Sequence, residues 1–511
     1  MRQSLVAHLR WVFITGICGG LVACGVAAQP TAAPAPMATA GPTTAVSPAS
    51  VATPAQPSLK AESPTPSPLP ATHVPTAATA TPALAAQAIV PNASAVALPL
   101  MTAGPGANRA QFWTGVLGFS DVGTHQVVRT PGDRVYIFAP EIYKTYLRAL
   151  RADQPGTPRS FAEVDAANRP NAASPIWAVD SAIDGHGVVH LLYITENGPV
   201  VYQTFDTALD RWGPQTELAN SRWPNRNNDL RQGSAGVALA VDRAGVVHVA
   251  YNKAEGANRR VYYNNNAGGS WSHETLLDDT PGSDNSHPTL AFGPDGALYA
   301  AWLADDGKAG AIRVRARRGD AWARSSPVDA NVFRNNGYSI DQGPSLLVAP
   351  DGAVHVAYIG PYEPAPGSPT GYDYGRAHHR ISRDGGRSWV ADDPPQLFTH
   401  NPSLAVSPEG DIFMFGHREA WLDPGRCAWM LANVRPAGEG WDKWRVLGQG
   451  CFDSSVSVRW AQYHRANPQV LDLLFWTEKG PRGEPDVNQL FYTELRGGVA
   501  AIKALPGAAR P

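Results

Sequence analysis

The sequence predicts an all-β protein: a β-propeller of four-stranded blades, seven-bladed with six as the alternative, behind a long Pro/Thr/Ala-rich stretch. Three observations predict it. An apolar tripeptide, a Pro/Asp/Gly turn and an alternating apolar strand recur seven times, most clearly as LAVDRAGVVHVAY (239–251), LAFGPDGALYAAW (290–302), LLVAPDGAVHVAY (346–358) and LAVSPEGDIFMFG (404–416). Equivalent positions Tyr136, His190, His248, Tyr299, His355 and Phe413 fall 51 to 58 residues apart, the length of one blade. The 49 glycines and 15 tryptophans suit tight turns and aromatic packing between sheets. The opening copy, VVRTPGDRVYIFA (127–139), and the closing one around VLDLLFWTE (470–478) are weaker, and the strand Gln111–Phe119 is a candidate to complete the last blade. If one copy were part of its neighbour, six blades would result.

At the N-terminus, Arg2 and Arg10 precede an apolar run, the layout of a secretory signal. The run ends in Leu21-Val22-Ala23-Cys24, which resembles the lipobox of bacterial lipoproteins. That resemblance implies removal of residues 1–23 and a diacylglyceryl group on Cys24, anchoring the protein to the outer face of a membrane. The rival reading is a plain signal peptide cut near Ala27-Ala28. Gly16, Gly19 and Gly20 interrupt the run and argue against a transmembrane helix.

From Gln29 to about Asn108 the composition collapses onto Pro, Thr, Ala and Ser with almost no charge, and 24–108 is assigned as one segment. Such a chain cannot bury enough surface to offset its ordering entropy, so it reads as a disordered linker. The propeller is assigned to 109–500 and a flexible tail to 501–511. A net charge of −2 offers no global field to nucleic acid, which is excluded as a partner, and the protein is expected as a monomer. Cys427 and Cys451, in an exported chain, suggest one disulfide. A metal pair and two free thiols are the alternatives.

Within a blade, Pro and Asp-Gly stand where turns need a fixed or left-handed backbone. Alternation in VVHVAY puts Val247, Val249 and Tyr251 on one face and His248 and Ala250 on the other. His190, His248 and His355 occupy one place in three blades, so they are read as packing residues and not as a metal site.

The turn Ser382-Arg383-Asp384-Gly385-Gly386-Arg387-Ser388-Trp389 fits S-x-D-x-G-x-x-W at every defined position: Ser382, Asp384, Gly386 and Trp389. A degraded copy spans Asn264–Trp271. This is the Asp-box pattern, and with the GPDG-type turns the chain resembles the sialidase-like (BNR-repeat) propeller superfamily over most of residues 125–495. Glycoside hydrolysis would follow from that resemblance if an R-I-P arginine preceded an early strand. The residues two before the relevant prolines are Ala173, Ser286, Gln342 and His400, and Arg129-Thr130-Pro131 comes too late in its repeat. The catalytic arginine motif of sialidases is not matched, and fold alone does not settle function.

A site is expected where the long non-repeated segments gather, on the face opposite the short turns. The candidate ligand-binding residues there are Arg231, His287, Tyr338, Tyr374, Arg376, His400 and Trp421. Asp229, Asp284, Asp341 and Asp453 are candidate rim carboxylates for acid–base work. Aromatic plates beside Asn, Asp and Arg suit sugars. No cofactor is implied, and no D-x-D-x-D run supports calcium, which stays a minor alternative. The leading expectation is a surface-tethered lipoprotein binding an extracellular glycan or peptide. The alternatives are a carbohydrate-active enzyme, hydrolase or lyase, using rim carboxylates, and a scaffold for envelope protein assembly.

Overall fold

The computed structural model describes residues 126–508 except 141–144, 196–197, 222–235, 333–342, 362, 365–372, 398, 419–428, 450–455, 461–469 and 478–488. Blade 1 holds β1 (Gln126–Arg129), β2 (Val135–Pro140), β3 (Leu147–Ala152) and β4 (Phe161–Val164). Blade 2 holds β5 (Ile176–Ile183), β6 (Val188–Thr195), β7 (Pro199–Asp206) and β8 (Arg211–Asn220). Blade 3 holds β9 (Val237–Val241), β10 (Val247–Glu255), β11 (Asn258–Asn265) and β12 (Thr275–Leu276). Blade 4 holds β13 (Asp284–Phe292), β14 (Leu298–Asp305) and β15 (Gly310–Arg318), and its outer strand is broken into β16 (Ala321–Trp322) and β17 (Ser326–Val332).

Blade 5 holds β18 (Ser345–Val348), β19 (Val354–Ile359), a small hairpin β20 (Glu363–Pro364) and β21 (Asp373–Tyr374), then β22 (Ala377–Ser382) and β23 (Val390–Ala391). Blade 6 holds β24 (His400–Val406), β25 (Ile412–Arg418), β26 (Trp429–Arg435) and β27 (Arg445–Gln449). Blade 7 shows β28 (Val456–Trp460), β29 (Val470–Thr477) and β30 (Gln489–Arg496) among the described residues. Within each blade the strands pair antiparallel in chain order. The innermost strands β1, β5, β9, β13, β18, β24 and β28 neighbour one another in turn, and β28 returns to β1. The fold is a seven-bladed β-propeller; the six-bladed alternative is set aside. The strand Gln111–Phe119 lies outside the described residues.

Alternation in the second strand of each blade feeds two interfaces. Val247, Val249 and Tyr251 pack with Leu192 and Val200 of blade 2. Ala250, on the other face, joins Leu298 and Trp302 of blade 4. His248 lies on that second face, its ring edge-on to Phe292 at 5.1 Å between centroids. Its Nδ1 meets the Tyr263 hydroxyl at 2.7 Å, as His190 Nδ1 meets that of Tyr202 at 2.7 Å. In blade 5 a second histidine replaces the tyrosine, with His355 Nδ1 3.1 Å from His379 Nε2. All three histidines are buried in blade packing.

Closure of the ring rests on charge as well as apolar contact. Arg129 ends β1, and its guanidinium donates to Asp472 Oδ1 and Oδ2 of blade 7 at 2.6 and 2.9 Å and to Glu494 at 2.8 Å. Tyr492 donates to Asp472 at 2.7 Å, so every member is paired. The arginine of the Arg-Thr-Pro triplet is thus a structural clasp.

The flexible tail expected from residue 501 is corrected by the structure. A helix α1 (Gly498–Ala504) buries Ala501, Ile502 and the following Leu505 against blades 6 and 7. Beyond it Val446 N–H donates to Pro506 O at 2.8 Å and Ala508 N–H to Trp444 O at 2.9 Å, adding a strap outside β27. Apolar residues at 501, 502 and 505 fall on one helical face, which is the physical reason.

Candidate functional site

The two faces of the ring differ chemically. On the face with the short turns, carboxylates close their own turns. Asp184 accepts from the His186 and Val188 N–H groups, each at 2.9 Å, and Asp242 from Ala244 and Val246 at 2.8 Å. At the 382–389 turn, Asp384 accepts the Arg387 and Ser388 N–H groups at 3.0 Å and the Ser382 and Ser388 hydroxyls at 2.7 and 2.6 Å. The Ser388 bonds hold its carboxyl well below the usual range. Trp389 Nε1 donates to Ser326 at 3.0 Å, tying this turn to blade 4. These groups are satisfied locally.

The opposite face carries the links between blades, and Asp284 and His287 sit there among the described residues. Both were expected in a link, but β13 already begins at Asp284, with a bulge between Ser286 and Thr289. At that bulge His287 has φ of +53°. The other described non-glycine residues at positive φ are Asp133, Asp165 and Asp210, whose short polar side chains tolerate it in turns. His287 is a bulky residue held there inside a strand.

Two glycines make room for it. A Cβ on Gly343 would come within 2.1 Å of His287 Cβ, and one on Gly236 within 2.7 Å of His287 Cα. Gly236 and Gly343 each lie just before the innermost strand of their blade, so three strand tops converge on His287 at the mouth of the ring. Its Nδ1 lies 2.9 Å from Ser286 Oγ.

Asp284 turns outward from that mouth to blade 3. Arg259 Nε and backbone N–H donate to its Oδ1 at 2.8 and 2.7 Å, and Arg259 Nη2 to its Oδ2. Burial alone would push the Asp284 carboxyl up, but the bond and charge of Arg259 outweigh it and hold the group below its ordinary value. The structure thereby corrects its assignment as a rim acid: both oxygens are engaged and it stays ionised. Asn285, beside it, is a packing residue, accepting from Trp302 Nε1 at 3.1 Å and from the Thr280 hydroxyl at 2.8 Å.

Of the remaining candidates, Arg376 is half-buried and its carbonyl accepts the Gly360 N–H at 3.0 Å. Tyr374 lies on β21 and His400 opens β24. Asp229, Arg231, Tyr338, Asp341, Trp421 and Asp453 lie outside the described residues, as do Cys24, Cys427 and Cys451. Sequence reasoning missed two features of this face. One is Arg259, whose signal was the adjacent basic pair Arg259-Arg260 preceding Asp278, Asp279 and Asp284. The other is Tyr146, with the Arg169 guanidinium 3.8 Å above its ring and Glu163 2.8 Å from that arginine. Among the described residues no group of three metal-ligating side chains forms.

No family model matches the chain, and no curated protein matches it. Solved structures resemble it distantly. The polysaccharide lyase Uly1 is 12% identical over 74% of this chain and 91% of its own, with a TM-score of 0.45. An ulvan lyase bound to -[GlcA(1-4)Rha3S]- is 10% identical over 77% of this chain and 100% of its own, at 0.46. The α-L-arabinofuranosidase Arb93A from Fusarium graminearum is 10% identical over 78% and 100%, at 0.42. Likeness at this level carries no inference about what this chain binds or does; the fold itself, a seven-bladed propeller, stands on the strand order above.

Proposed function

We propose that this chain is an exported propeller, tethered through Cys24, that binds an extracellular glycan on its loop-bearing face around His287. One observation carries the reading: a histidine kept in a left-handed backbone, inside a strand, by two glycines that let neighbouring blades close on it. Strain of this kind costs on the order of 1–3 kcal/mol and persists where surrounding structure imposes it, commonly at ligand sites. The chemistry around it fits hydroxyl-rich ligands. The imidazole and the adjoining Ser286 hydroxyl provide donors and acceptors, with the locked Arg259–Asp284 pair beside them. The sialidase-like Asp-box kinship belongs to this proposal as well.

A second reading is favoured by Asp284 staying ionised close to His287: a glycan-cleaving enzyme, hydrolase or lyase, in which His287 moves the proton and Asp284 holds its charge. Product release that disappears in His287→Ala while glycan retention persists at the aromatic positions would move this reading ahead.

The test uses the full chain on a glycan array. Wild type is expected to be retained, and His287→Ala to lose at least about tenfold in apparent affinity with its melting temperature kept. A wild type that binds no glycan sinks the proposal. For the tether, Cys24→Ser should lose incorporation of labelled fatty acid and leave the membrane fraction; an unchanged label and fraction would remove the lipoprotein reading.

A further inference from the structure

The wall between blades 3 and 4 carries a charge pattern that the fold does not consume. On β15 the side chains of Arg313, Arg315 and Arg317 share one face, opposite Trp302, Ala300 and Leu298 of β14. Their stems cover the apolar cluster shared with Val261, Tyr263 and Leu277 of blade 3. Alternate residues of a strand stand about 7 Å apart, so the guanidinium row is about 14 Å long.

Corresponding positions in neighbouring blades are Tyr262 and Asn264 on β11, and His378, Arg380 and Ser382 on β22. Blade 3 has no arginine there, and in blade 5 the one arginine, Arg380, is held by Asp393 at 2.6 Å and Asp329 at 3.1 Å. Blade 4 departs from this. Arg313 donates to the Ser325 hydroxyl at 2.9 Å, and Arg315 to Ala323 O at 2.7 Å and to Leu277 O. Among the described residues only Arg317 of the three bonds a carboxylate, the fully exposed Asp320, at 2.9 Å.

The other nearby carboxylates make their bonds elsewhere, although the charge of Asp279 reaches Arg313 and Arg315. Asp278 holds Arg260 and the Val261 N–H at 2.7 Å; Asp279 holds the Ser325 N–H at 2.8 Å and its hydroxyl. Burial lowers the Arg315 pKa, the mark of a charge held partly out of water. Aromatic rings stand in the same row. Tyr263 and Trp322 meet edge-on at 5.2 Å, with Arg317 5.6 Å from the first ring and Arg315 5.9 Å from the second. The buried Trp322 indole N–H finds no acceptor among the described residues.

We propose that this arginine row is a second binding strip, separate from the loop-face site, for an acidic oligosaccharide bearing carboxylate or sulfate groups. Arginine forks match both groups, and the half-buried Trp322 indole can take the apolar face of a sugar ring. Asp279 and Asp320 beside the row disfavour a nucleic acid, charged at every unit. They suit a glycan whose charges alternate with neutral hydroxyls.

The full-length chain is passed over immobilised heparin (sulfated), polygalacturonate (carboxylated) and dextran (neutral). Retention is expected on at least one acidic matrix, weakening with salt, and not on dextran. Arg313→Gln/Arg317→Gln, which leaves the doubly bonded Arg315 in place, should weaken binding of the soluble acidic glycan about tenfold with the melting temperature kept. His287→Ala should leave it unchanged, which separates this strip from the loop-face reading. Flow-through of wild type on both acidic matrices overturns the proposal, as does an unaltered double variant. Tighter binding to a single-stranded oligonucleotide, lost in the same variant, would overturn the glycan assignment.

Discussion

Replacing Arg129 by methionine is expected to cost roughly 3–5 kcal/mol of stability, more than any loop substitution. The guanidinium, Asp472 and Glu494 are 1%, 0% and 6% exposed at their side chains, and removing the cation strands the Asp472 carboxylate away from water, while Glu494 keeps Arg496 at 2.8 Å. Burial alone would lower the Arg129 pKa, but the charge of Asp472 and its bonds raise it well above its ordinary value, so the charge is permanent. The effect falls between the first and last blades, where β1 meets β28 and β29. Thermal unfolding should show a loss on the order of 5–10 °C, with Tyr492→Phe, which removes the hydroxyl's bonds to Asp472 and Arg129 but no charge, far milder. If Arg129→Met melts with wild type, the clasp does not close the ring.

Acid should unfold the protein well above the carboxylate range. Burial holds the His248 imidazole down to about 4 and the His355 imidazole down to about 3, the latter helped by the charges of His379 and Arg435. The hydrogen-bond order explains the second case. His379 Nδ1 donates to Asp392 at 3.1 Å, so its Nε2 accepts from His355 Nδ1, and a further proton has no acceptor. The folded state binds fewer protons than the unfolded chain, whose histidines titrate near pH ~6.5. Stability is therefore complete above that pH and falls as pH drops through 6.5 toward 4 and 3. The combined loss is on the order of 5 kcal/mol. Urea midpoints at several pH values across this window should fall steadily, and His355→Gln should flatten part of the slope. A midpoint constant down to the carboxylate range would contradict it.

The fold was legible because a propeller repeats itself. Each blade restates the turn glycine and the alternating strand, so position-by-position comparison within one chain replaced an alignment. The same logic placed His190, His248 and His355 as packing residues, and their partners Tyr202, Tyr263 and His379 confirm it. The site was less legible because it lies where the repeats diverge. Sequence placed His287 among the links between blades, yet its backbone strain depends on Gly236 and Gly343, about fifty residues away on either side. Asp284 looked like a rim acid because its partner Arg259 belongs to another blade. The tail was misjudged because Ile502 and Leu505 were weighed without the groove they fill.

Hydrogen–deuterium exchange of the full chain, with and without the glycan an array selects, tests the central claim most directly. The account predicts slowed exchange at residues 284–288 and at the adjoining tops of β9 and β18, with the turns at 184–187 and 382–389 unchanged. Protection confined to the turn-bearing face, or none near His287 at saturating glycan, would contradict it.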